Sequence, residues 1–142
     1  MKYVLDTDHV TLHQRNHPQV VGRIRECMPD DLAITVITVQ EQMRGRLAEV
    51  SRAKSDLHVA YAQLQATVDY FCGLTVLVFD TDAQQQFRQL QSQKIRIRIG
   101  TLDLRIAAIA LSQNVTLITR NRRNFEQVPA LKIEDWSQSI AN

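Results

Sequence analysis

The chain has 142 residues, 44% of them hydrophobic and 23% charged, a composition typical of a globular domain rather than a disordered or fibrous chain. Its 17 basic and 15 acidic residues leave a net charge of only +2, so the overall charge does not by itself indicate a polyanionic partner. The two cysteines make no disulfide framework or metal motif, and no apolar run is long enough for a membrane span. We therefore expect a single domain over residues 1–142, in a reducing cytoplasm and without membrane attachment.

The hydrophobic pattern predicts five strands separated by helices. In chain order these are a strand over 2–5, helices over 7–15 and 18–27, a strand over 32–38, helices over 38–48 and 52–72, a strand over 74–79, helices over 80–90 and 102–112, and strands over 115–119 and 131–133. Residues 94–99 alternate basic and β-branched side chains and could form a strand or an extended loop. Such alternation predicts an α/β fold, with a central, mostly parallel five-stranded sheet covered by helices on both faces.

Three carboxylates stand where strands or turns give way to helices. Asp6 ends the first strand, Glu41 follows the second, and Asp103 opens the helix after Gly100 and Thr101. Because the carboxyl ends of parallel strands lie at one edge of a sheet, acids far apart in sequence could converge there. Converging carboxylates repel each other unless a hard cation such as Mg²⁺ or Mn²⁺ lies between them. The pattern therefore favours a metal site.

Each acid also has an ordinary structural interpretation. Asp6 could cap the first helix, and Thr38 with Glu41 fits a capping box. With Thr101 as the N-cap, Asp103 would lie in the first helical turn, where an anion suits the helix dipole. For any single position the structural interpretation stays open, and it is the joint pattern that favours a cation.

Basic residues cluster before and within the helix that carries Asp103, and again after the fourth strand. They are Arg88, Lys94, Arg96, Arg98, Arg105, Arg120, Arg122 and Arg123. Basic groups around an acidic centre suit a polyanion held by its phosphates. For any one of these arginines, solvated surface is the simpler interpretation.

Two further patterns are interpreted as structural. His9, His13 and His17 recur every four residues, but nothing nearby completes a zinc ligand set, so we interpret them as a solvated face. An apolar stripe in the 52–72 helix is interpreted as core, although part of it could form a groove for a partner helix. The stripe consists of Leu57, Tyr61, Leu64, Val68 and Phe71.

Four segments form an ordered set over nearly the whole chain. They are YVLDTD at 3–8, ITVQEQMRG at 37–45, IGTLDLRIAAIA at 99–110, and LITRNRRNF at 117–125 followed by VP at 128–129 and IEDW at 133–136. Each segment alone is weakly specific, but together and in this order they resemble the motifs of PIN-domain ribonucleases. The resemblance is greatest to the VapC toxins of bacterial type II toxin–antitoxin systems.

This resemblance implies a three-layer α/β/α PIN fold and a divalent-metal endoribonuclease. It places metal binding and catalysis on Asp6, Glu41 and Asp103, and it places hydroxyl groups near that centre at Thr7 and Thr119. The acids would hold Mg²⁺ or Mn²⁺, which activates a water for in-line attack on phosphorus and leaves a 5′-phosphate.

The resemblance also implies partners. Proteins of this family bind a cognate VapB-like antitoxin, commonly form homodimers, and cleave structured RNA such as transfer RNA. The arginines that would contact RNA are Arg98, Arg105, Arg120 and Arg122.

The chain departs from the family pattern where a fourth acid is usual. Amides stand at both candidate positions after Thr119, namely Asn121 and Asn124. An amide oxygen can ligate a metal or orient a water but adds no negative charge, so we expect weaker metal binding. One alternative is therefore a catalytically weakened PIN domain that acts as an RNA- or antitoxin-binding module.

A second alternative comes from the first segment alone. Asp6 and Asp8 also fit the strand-end Asp-x-Asp motif of haloacid-dehalogenase-like phosphatases, with Asp6 as nucleophile and Asp8 as acid/base. That family also needs a lysine at a later strand end. No lysine stands directly after the third or fourth predicted strand. The only lysine after Lys94 is Lys132, which lies within the fifth.

Overall fold

The computed structural model describes residues 1–93 and 99–139. Five short strands form one sheet: β1 (Tyr3–Leu5), β2 (Leu32–Thr35), β3 (Thr75–Leu77), β4 (Thr116–Ile118) and β5 (Ile133–Glu134). Within the described ranges the helices are α1 (Thr7–Gln14), α2 (Pro18–Glu26), α3 (Val36–Arg52), α4 (Leu57–Cys72), α5 (Thr81–Ser92), α6 (Thr101–Gln113) and α7 (Arg122–Phe125), with a 3₁₀ turn at Pro29–Asp31.

All neighbouring strands in the sheet run parallel, in the order β3-β2-β1-β4-β5. Alternate residues of the strands face opposite sides of the sheet. On one side Val4, Ala33 and Leu117 pack with apolar residues of α5 and α6, such as Leu90 and Ile106. On the other side a second apolar cluster contains Leu5, Ile34, Ile118, Val10 of α1, and Trp136, with residues of α2 and α4 against it. The prediction of a parallel five-stranded sheet between two helical layers is confirmed.

The strand order reverses at β1, which lies between β2 and β4. Strands β2 and β3 lie on one side of β1, and strands β4 and β5 lie on the other. A crevice opens at such a switch point, outside the carboxyl ends of the strands. The backbone N–H of Asp6, the first residue after β1, donates to the carbonyl of Ile118 at the end of β4 (3.0 Å). This bond fixes the position of Asp6 at the crevice.

The boundary between β2 and α3 differs from the prediction. The strand ends at Thr35, and the helix begins at Val36 rather than near Thr38. The side chain of Thr35 caps the helix by accepting from the Thr38 N–H (3.2 Å). The apolar run continues into the helix because Ile37, in the first turn, packs into the core. The predicted capping box of Thr38 and Glu41 is therefore wrong, and Glu41 lies in the second turn of α3.

The helical stretch predicted over 52–72 begins later, because α3 continues to Arg52 and α4 starts at Leu57. The interpretation of its apolar stripe as core is wrong for three residues, since Leu57, Tyr61 and Val68 are 43%, 53% and 38% exposed. The buried residues of α4 are instead the small Ala60 and Thr67. Thr67 Oγ1 accepts from Arg46 Nε of α3 (2.9 Å). Small side chains allow α3 and α4 to approach closely, whereas Leu57, Tyr61 and Val68 are left exposed.

Three smaller differences concern the second half of the chain. The fifth strand is Ile133–Glu134 rather than 131–133, and the short helix α7 after β4 was not predicted. Residues 94–98, where a strand or an extended loop was expected, lie outside the described ranges. Among the helices described, none is long and apolar enough to cross a membrane.

Candidate active site

A cavity of about 560 Å³ opens at the carboxyl edge of the sheet, beside the switch point. It is lined by Asp6, Thr7, Asp8, Thr11, Glu41, Asp103, Arg120 and Asn121. The three predicted acids therefore meet at one cavity, although they come from the ends of β1 and from α3 and α6. Parallel pairing of β1 with β2 and β4 brings these segments to the same edge.

Asp6 is the N-cap of α1 and one of the few buried carboxylates, with 5% of its surface exposed. Its Oδ1 accepts from the His9 N–H (2.7 Å), which satisfies an otherwise free donor of the first helical turn. Within the described residues no hydrogen bond engages its Oδ2. One oxygen thus belongs to the fold, and the other is available to the cavity.

Glu41 is held by a hydroxyl chain between α1 and α3. Thr7 Oγ1 donates to Glu41 Oε1 (2.7 Å) and lies 2.9 Å from Thr38 Oγ1. Because the Thr7 proton goes to the carboxylate, Thr38 is the donor of the second bond. Thr38 is fully buried, and it lies one turn before Glu41 on the same helix. This hydroxyl chain orders one oxygen of Glu41, and within the described part of the chain no hydrogen bond engages the other.

Asp103 lies in the first turn of α6, which is capped by Gly100 rather than by Thr101. Burial, helped by the nearby charges of Glu41 and Asp6, raises the pKa of the Asp103 carboxyl from 3.8 to about 6. Desolvation and like charges both disfavour the ionised form. The raised pKa shows that the three carboxylates are close enough to interact.

Arg120 and Asp8 form an ion pair at the mouth of the cavity. The guanidinium donates to both carboxylate oxygens, from Nε to Oδ2 (2.6 Å) and from Nη2 to Oδ1 (2.9 Å). The pair is about half exposed, so its contribution to stability is small, about 0–1 kcal/mol. Asn121, the next residue, also lines the cavity, and it occupies part of the region where a fourth acid was expected.

The other predicted site residues lie elsewhere. Thr119 is fully buried, and its Oγ1 accepts from the Asn121 N–H (2.9 Å), so it supports the loop after β4 rather than lining the cavity. Asn124 lies on α7 and is not among the residues that line the cavity. Because Asn124 does not line the cavity and Asn121 does, Asn121 is the better match for the position at which a fourth acid was expected.

Of the three predicted RNA-binding arginines that lie within the described residues, two do not line the acidic cavity. Arg105 lies over the ring of Phe87 (5.5 Å to the centroid), in a separate cavity between α5 and α6. Arg122 is exposed on α7 with its Nε 3.6 Å from Glu126 Oε1. Arg98 lies outside the described residues. Arg120 is the one described member of the set at the acidic cavity.

The interpretation of the histidines as a solvated face is wrong. His9 is fully buried against Asp6, and His13 Nδ1 lies 2.7 Å from the hydroxyl of Tyr70. His17 caps α2, accepting from the Val20 N–H (3.5 Å). The sequence signal for His9 was its position three residues after the helix-capping Asp6, which places the two side chains on one face.

The oxygen-rich donor set matches a hard divalent cation. Asp6, Glu41 and Asp103 offer carboxylate oxygens only, the ligands that Mg²⁺ and Mn²⁺ prefer. The described residues contain one tighter group of possible ligands, Asp6, Asp8 and His9, whose ligand atoms lie within 4.8 Å of one another. Both ring nitrogens of His9 are already engaged and the side chain is buried, so this group is a hydrogen-bonded cluster and the cation would face the three acids.

Comparison with known proteins identifies the family. The family model of the PIN domain matches residues 3–131. The chain is 29% identical over 138 residues to the tRNA(fMet)-specific endonuclease VapC of Salmonella typhimurium, covering 96% of this chain and 98% of that protein. It is 30% identical over 139 residues to ribonuclease VapC2 of Haemophilus influenzae, again with 96% and 98% coverage.

Solved structures agree with the sequence relatives. VapBC-1 from nontypeable Haemophilus influenzae superposes with a TM-score of 0.82 at 26% identity, over 97% of this chain and 100% of that one. The DNA-bound VapBC from Salmonella typhimurium gives a TM-score of 0.80 at 29% identity, over 96% and 98% of the two chains. The chain therefore belongs to the PIN-domain family, among the VapC ribonuclease toxins of VapBC toxin–antitoxin systems.

Proposed function

We propose that this chain is an Mg²⁺- or Mn²⁺-dependent endoribonuclease whose metal centre is formed by Asp6, Glu41 and Asp103. The observation that carries the proposal is the convergence of these acids at one cavity. Burial, with a further contribution from the charges of Glu41 and Asp6, raises the pKa of Asp103 to about 6, so a cation would favour the ionised form of the group. The proposed function is therefore the one that explains why the charges are kept together.

Each side chain has a defined part in this proposal. Asp6 Oδ2, the free oxygen of Glu41, and the Asp103 carboxylate hold the cation, which when bound polarises a phosphate oxygen and activates water. Thr7 and Thr38 keep Glu41 in place through their hydroxyl chain. Arg120, at the cavity mouth, is placed to hold a neighbouring phosphate once it leaves Asp8.

The substrate class we propose is transfer RNA or another structured RNA. The support is the relative from Salmonella typhimurium, whose name specifies tRNA(fMet) as its target and which covers nearly the whole chain. Arg120 at the cavity mouth would supply a phosphate contact of the kind that any RNA needs, whatever its sequence. Arg105 and Arg122 lie outside the cavity and would contact flanking phosphates.

We further propose a cognate VapB-like antitoxin as partner, homodimer formation, and a cytoplasmic location. The solved relatives from Haemophilus influenzae and Salmonella typhimurium are VapBC complexes, at 26% and 29% identity. The exposed apolar residues of α4, Leu57, Tyr61 and Val68, are the kind of side chains that a partner helix covers. Their exposure supports a binding role for this helix.

The two alternatives drawn from the sequence fare differently. The haloacid-dehalogenase-like phosphatase is wrong, because the chain belongs to the PIN-domain family and Asp8 is engaged by Arg120. The weakened PIN module that binds RNA or antitoxin without cleavage has one supporting observation, the neutral Asn121 in the cavity. It predicts RNA binding that is not followed by divalent-dependent cleavage.

Expression of the chain in a bacterial host without its antitoxin tests the ribonuclease proposal. We expect growth arrest with the parent and with Asp69→Asn, an exposed acid on α4 that serves as the control, and normal growth with Asp6→Asn. Sequencing of RNA with 5′-phosphate ends from arrested cells then identifies the cleaved RNA. Equal arrest by Asp6→Asn, at equal protein level, would show that toxicity does not depend on the proposed centre.

A further inference from the structure

The side chain of His9 links the candidate active site to the C-terminal segment. His9 lies in the first turn of α1 and is fully buried. Its Nδ1 is 3.2 Å from Asp6 Oδ1, the same oxygen that accepts its backbone N–H. On the other side of the ring, the backbone N–H of Trp136 donates to Nε2 (3.3 Å). Each ring nitrogen therefore has a hydrogen-bond partner, which is Asp6 Oδ1 for Nδ1 and the Trp136 N–H for Nε2.

The Trp136 contact fixes the tautomer of the ring. A backbone N–H can only donate, so Nε2 must accept and carries no proton. The proton then lies on Nδ1, which donates to Asp6 Oδ1. Asp135 Oδ1 lies 3.6 Å from Nε2, but it already accepts from the backbone N–H (2.8 Å) and the hydroxyl (2.6 Å) of Ser137. The Asp135 contact is longer than the Trp136 contact, and the Asp135 oxygen already accepts two hydrogen bonds.

Trp136, which contacts His9, is buried and held by several contacts. The indole is 1% exposed, stacks edge-on against Tyr3 (5.0 Å between ring centroids), and donates from Nε1 to Glu134 (3.2 Å). The guanidinium of Arg23 lies over the same ring, 5.3 Å from its centroid. A fixed Trp136 backbone holds the imidazole plane, and the imidazole in turn holds the carboxylate of Asp6.

We propose that His9 is a positioning residue that locks the Asp6 carboxylate, through an Nδ1–H bond to Oδ1, so that Oδ2 is presented to the cation. The proposal rests on the metal centre proposed above and adds a residue to it. Two donors from His9 hold Oδ1, while no hydrogen bond within the described residues engages Oδ2. Hydrogen bonds to ligating carboxylates orient them, and loss of such a partner typically costs about 10–100-fold in metal affinity.

Two substitutions separate the two ends of the ring. In His9→Asn the side-chain nitrogen can occupy the place of Nδ1 and still donate to Asp6, but nothing reaches the Trp136 N–H. In His9→Gln the terminal amide reaches the place of Nε2 and its oxygen can accept from Trp136, but the donor to Asp6 is lost. Both variants keep the backbone N–H that caps α1. Because each variant replaces the ring by a primary amide that reaches only one of its two ends, the two variants are controls for each other.

Calorimetric titration of Mn²⁺ into the parent and both variants, each checked for folding by circular dichroism, gives the main test. We expect His9→Asn to bind within about threefold of the parent, and His9→Gln to bind about tenfold or more weakly. Equal affinity of His9→Gln and the parent, or equal weakening in both variants, would overturn the positioning role. Absence of Mn²⁺ binding by the parent itself would instead overturn the proposed metal centre.

Long-range ¹H–¹⁵N correlation spectra of the metal-free parent test the tautomer without any cation. We expect the His9 ring to carry its proton on Nδ1, and Trp136 to show the amide shift of a hydrogen-bonded N–H. The same spectra serve if a substitution prevents folding, since they use the unaltered chain. A neutral ring with its proton on Nε2 and none on Nδ1 would contradict the proposal, because Nδ1 could then no longer donate to Asp6.

Discussion

At the scale of single residues, two of the three acids, Asp6 and Glu41, each use one carboxylate oxygen in a hydrogen bond that supports the fold. Asp6 Oδ1 caps α1, and Glu41 Oε1 accepts from Thr7. The structural interpretation of Asp6 as a helix cap is confirmed, and its role as a metal ligand stays a proposal that the same side chain can also fulfil. For Glu41 the proposed capping box is wrong, because Thr35 caps α3 in place of Thr38.

The raised pKa of Asp103 predicts how metal-free stability changes with pH. Its folded value of about 6 lies above its ordinary value of 3.8, so the folded state binds more protons between these values and stability falls as pH rises through them. Asp103→Asn removes this loss. With EDTA present we expect the variant to melt at a higher temperature than the parent at pH 7.5, and by a clearly smaller margin at pH 4.5. A gap that is equal at both pH values would contradict the raised pKa.

The replacement of a fourth acid by amides predicts a gain of metal affinity in the reverse substitution. Asn121 lines the cavity, so Asn121→Asp adds a carboxylate beside the cation, and we expect Mn²⁺ affinity to rise by about tenfold, or about 1.4 kcal/mol. Asn124→Asp, on α7 and outside the cavity lining, is the matched control and should produce a smaller rise. If calorimetry finds neither variant tighter than the parent, the amides do not limit metal binding.

At the scale of elements, α1 and α3 are joined across the crevice by the chain from Thr38 through Thr7 to Glu41. Thr7→Val keeps the shape but removes the hydroxyl, so Glu41 loses its donor and Thr38 loses its acceptor. We expect Mn²⁺ affinity to fall by about tenfold and the free energy of unfolding to fall by about 1 kcal/mol. Thr7→Ser restores the hydroxyl and should restore most of both. Failure of serine to recover more than valine would show that the methyl group, and not the hydrogen bonds, matters.

The sequence predicts the helices and strands whose hydrophobic pattern is clear. It does not predict a boundary where β-branched residues, which favour a strand, begin a helix. The strand–helix alternation predicts the parallel sheet. The acids at the end of β1 and at the start of α6 predict where the cavity lies. The end of β2 was missed because Val36 and Ile37 are β-branched, yet they follow the capping Thr35 and form the first helical turn. The stripe on α4 was misread because small residues, Ala60 and Thr67, make the helix contact.

Long-range contacts account for what the sequence could not indicate. His9 meets Trp136, 127 residues away in the chain, and Arg120 meets Asp8, 112 residues away. No local periodicity encodes either pair, since both depend on where β1, β4 and β5 place their following loops. Arg120 is paired with Asp8, so its positive charge is partly neutralised. A count of arginines in the sequence therefore overestimates the positive charge at the site.

At the scale of the whole molecule, one sheet edge gathers the acids, the ion pair at the cavity mouth, and the loop that follows β4. The sheet order β3-β2-β1-β4-β5 makes this edge the natural ligand crevice of the fold. The apolar residues exposed on α4 belong to a separate face that we assign to partners. In our proposal, catalysis and partner binding therefore use different parts of the molecule.

The most direct test of the central claim is cleavage of purified transfer RNA by the purified chain with Mg²⁺ or Mn²⁺, in the presence and absence of EDTA. We expect cleavage that leaves 5′-phosphate ends, that stops with EDTA, and that falls by about 100-fold or more in Asp6→Asn, Glu41→Gln and Asp103→Asn, while Asp69→Asn cleaves like the parent. Cleavage that persists in EDTA, or that survives loss of Asp103, would contradict the claim that these three acids form a metal-dependent ribonuclease centre.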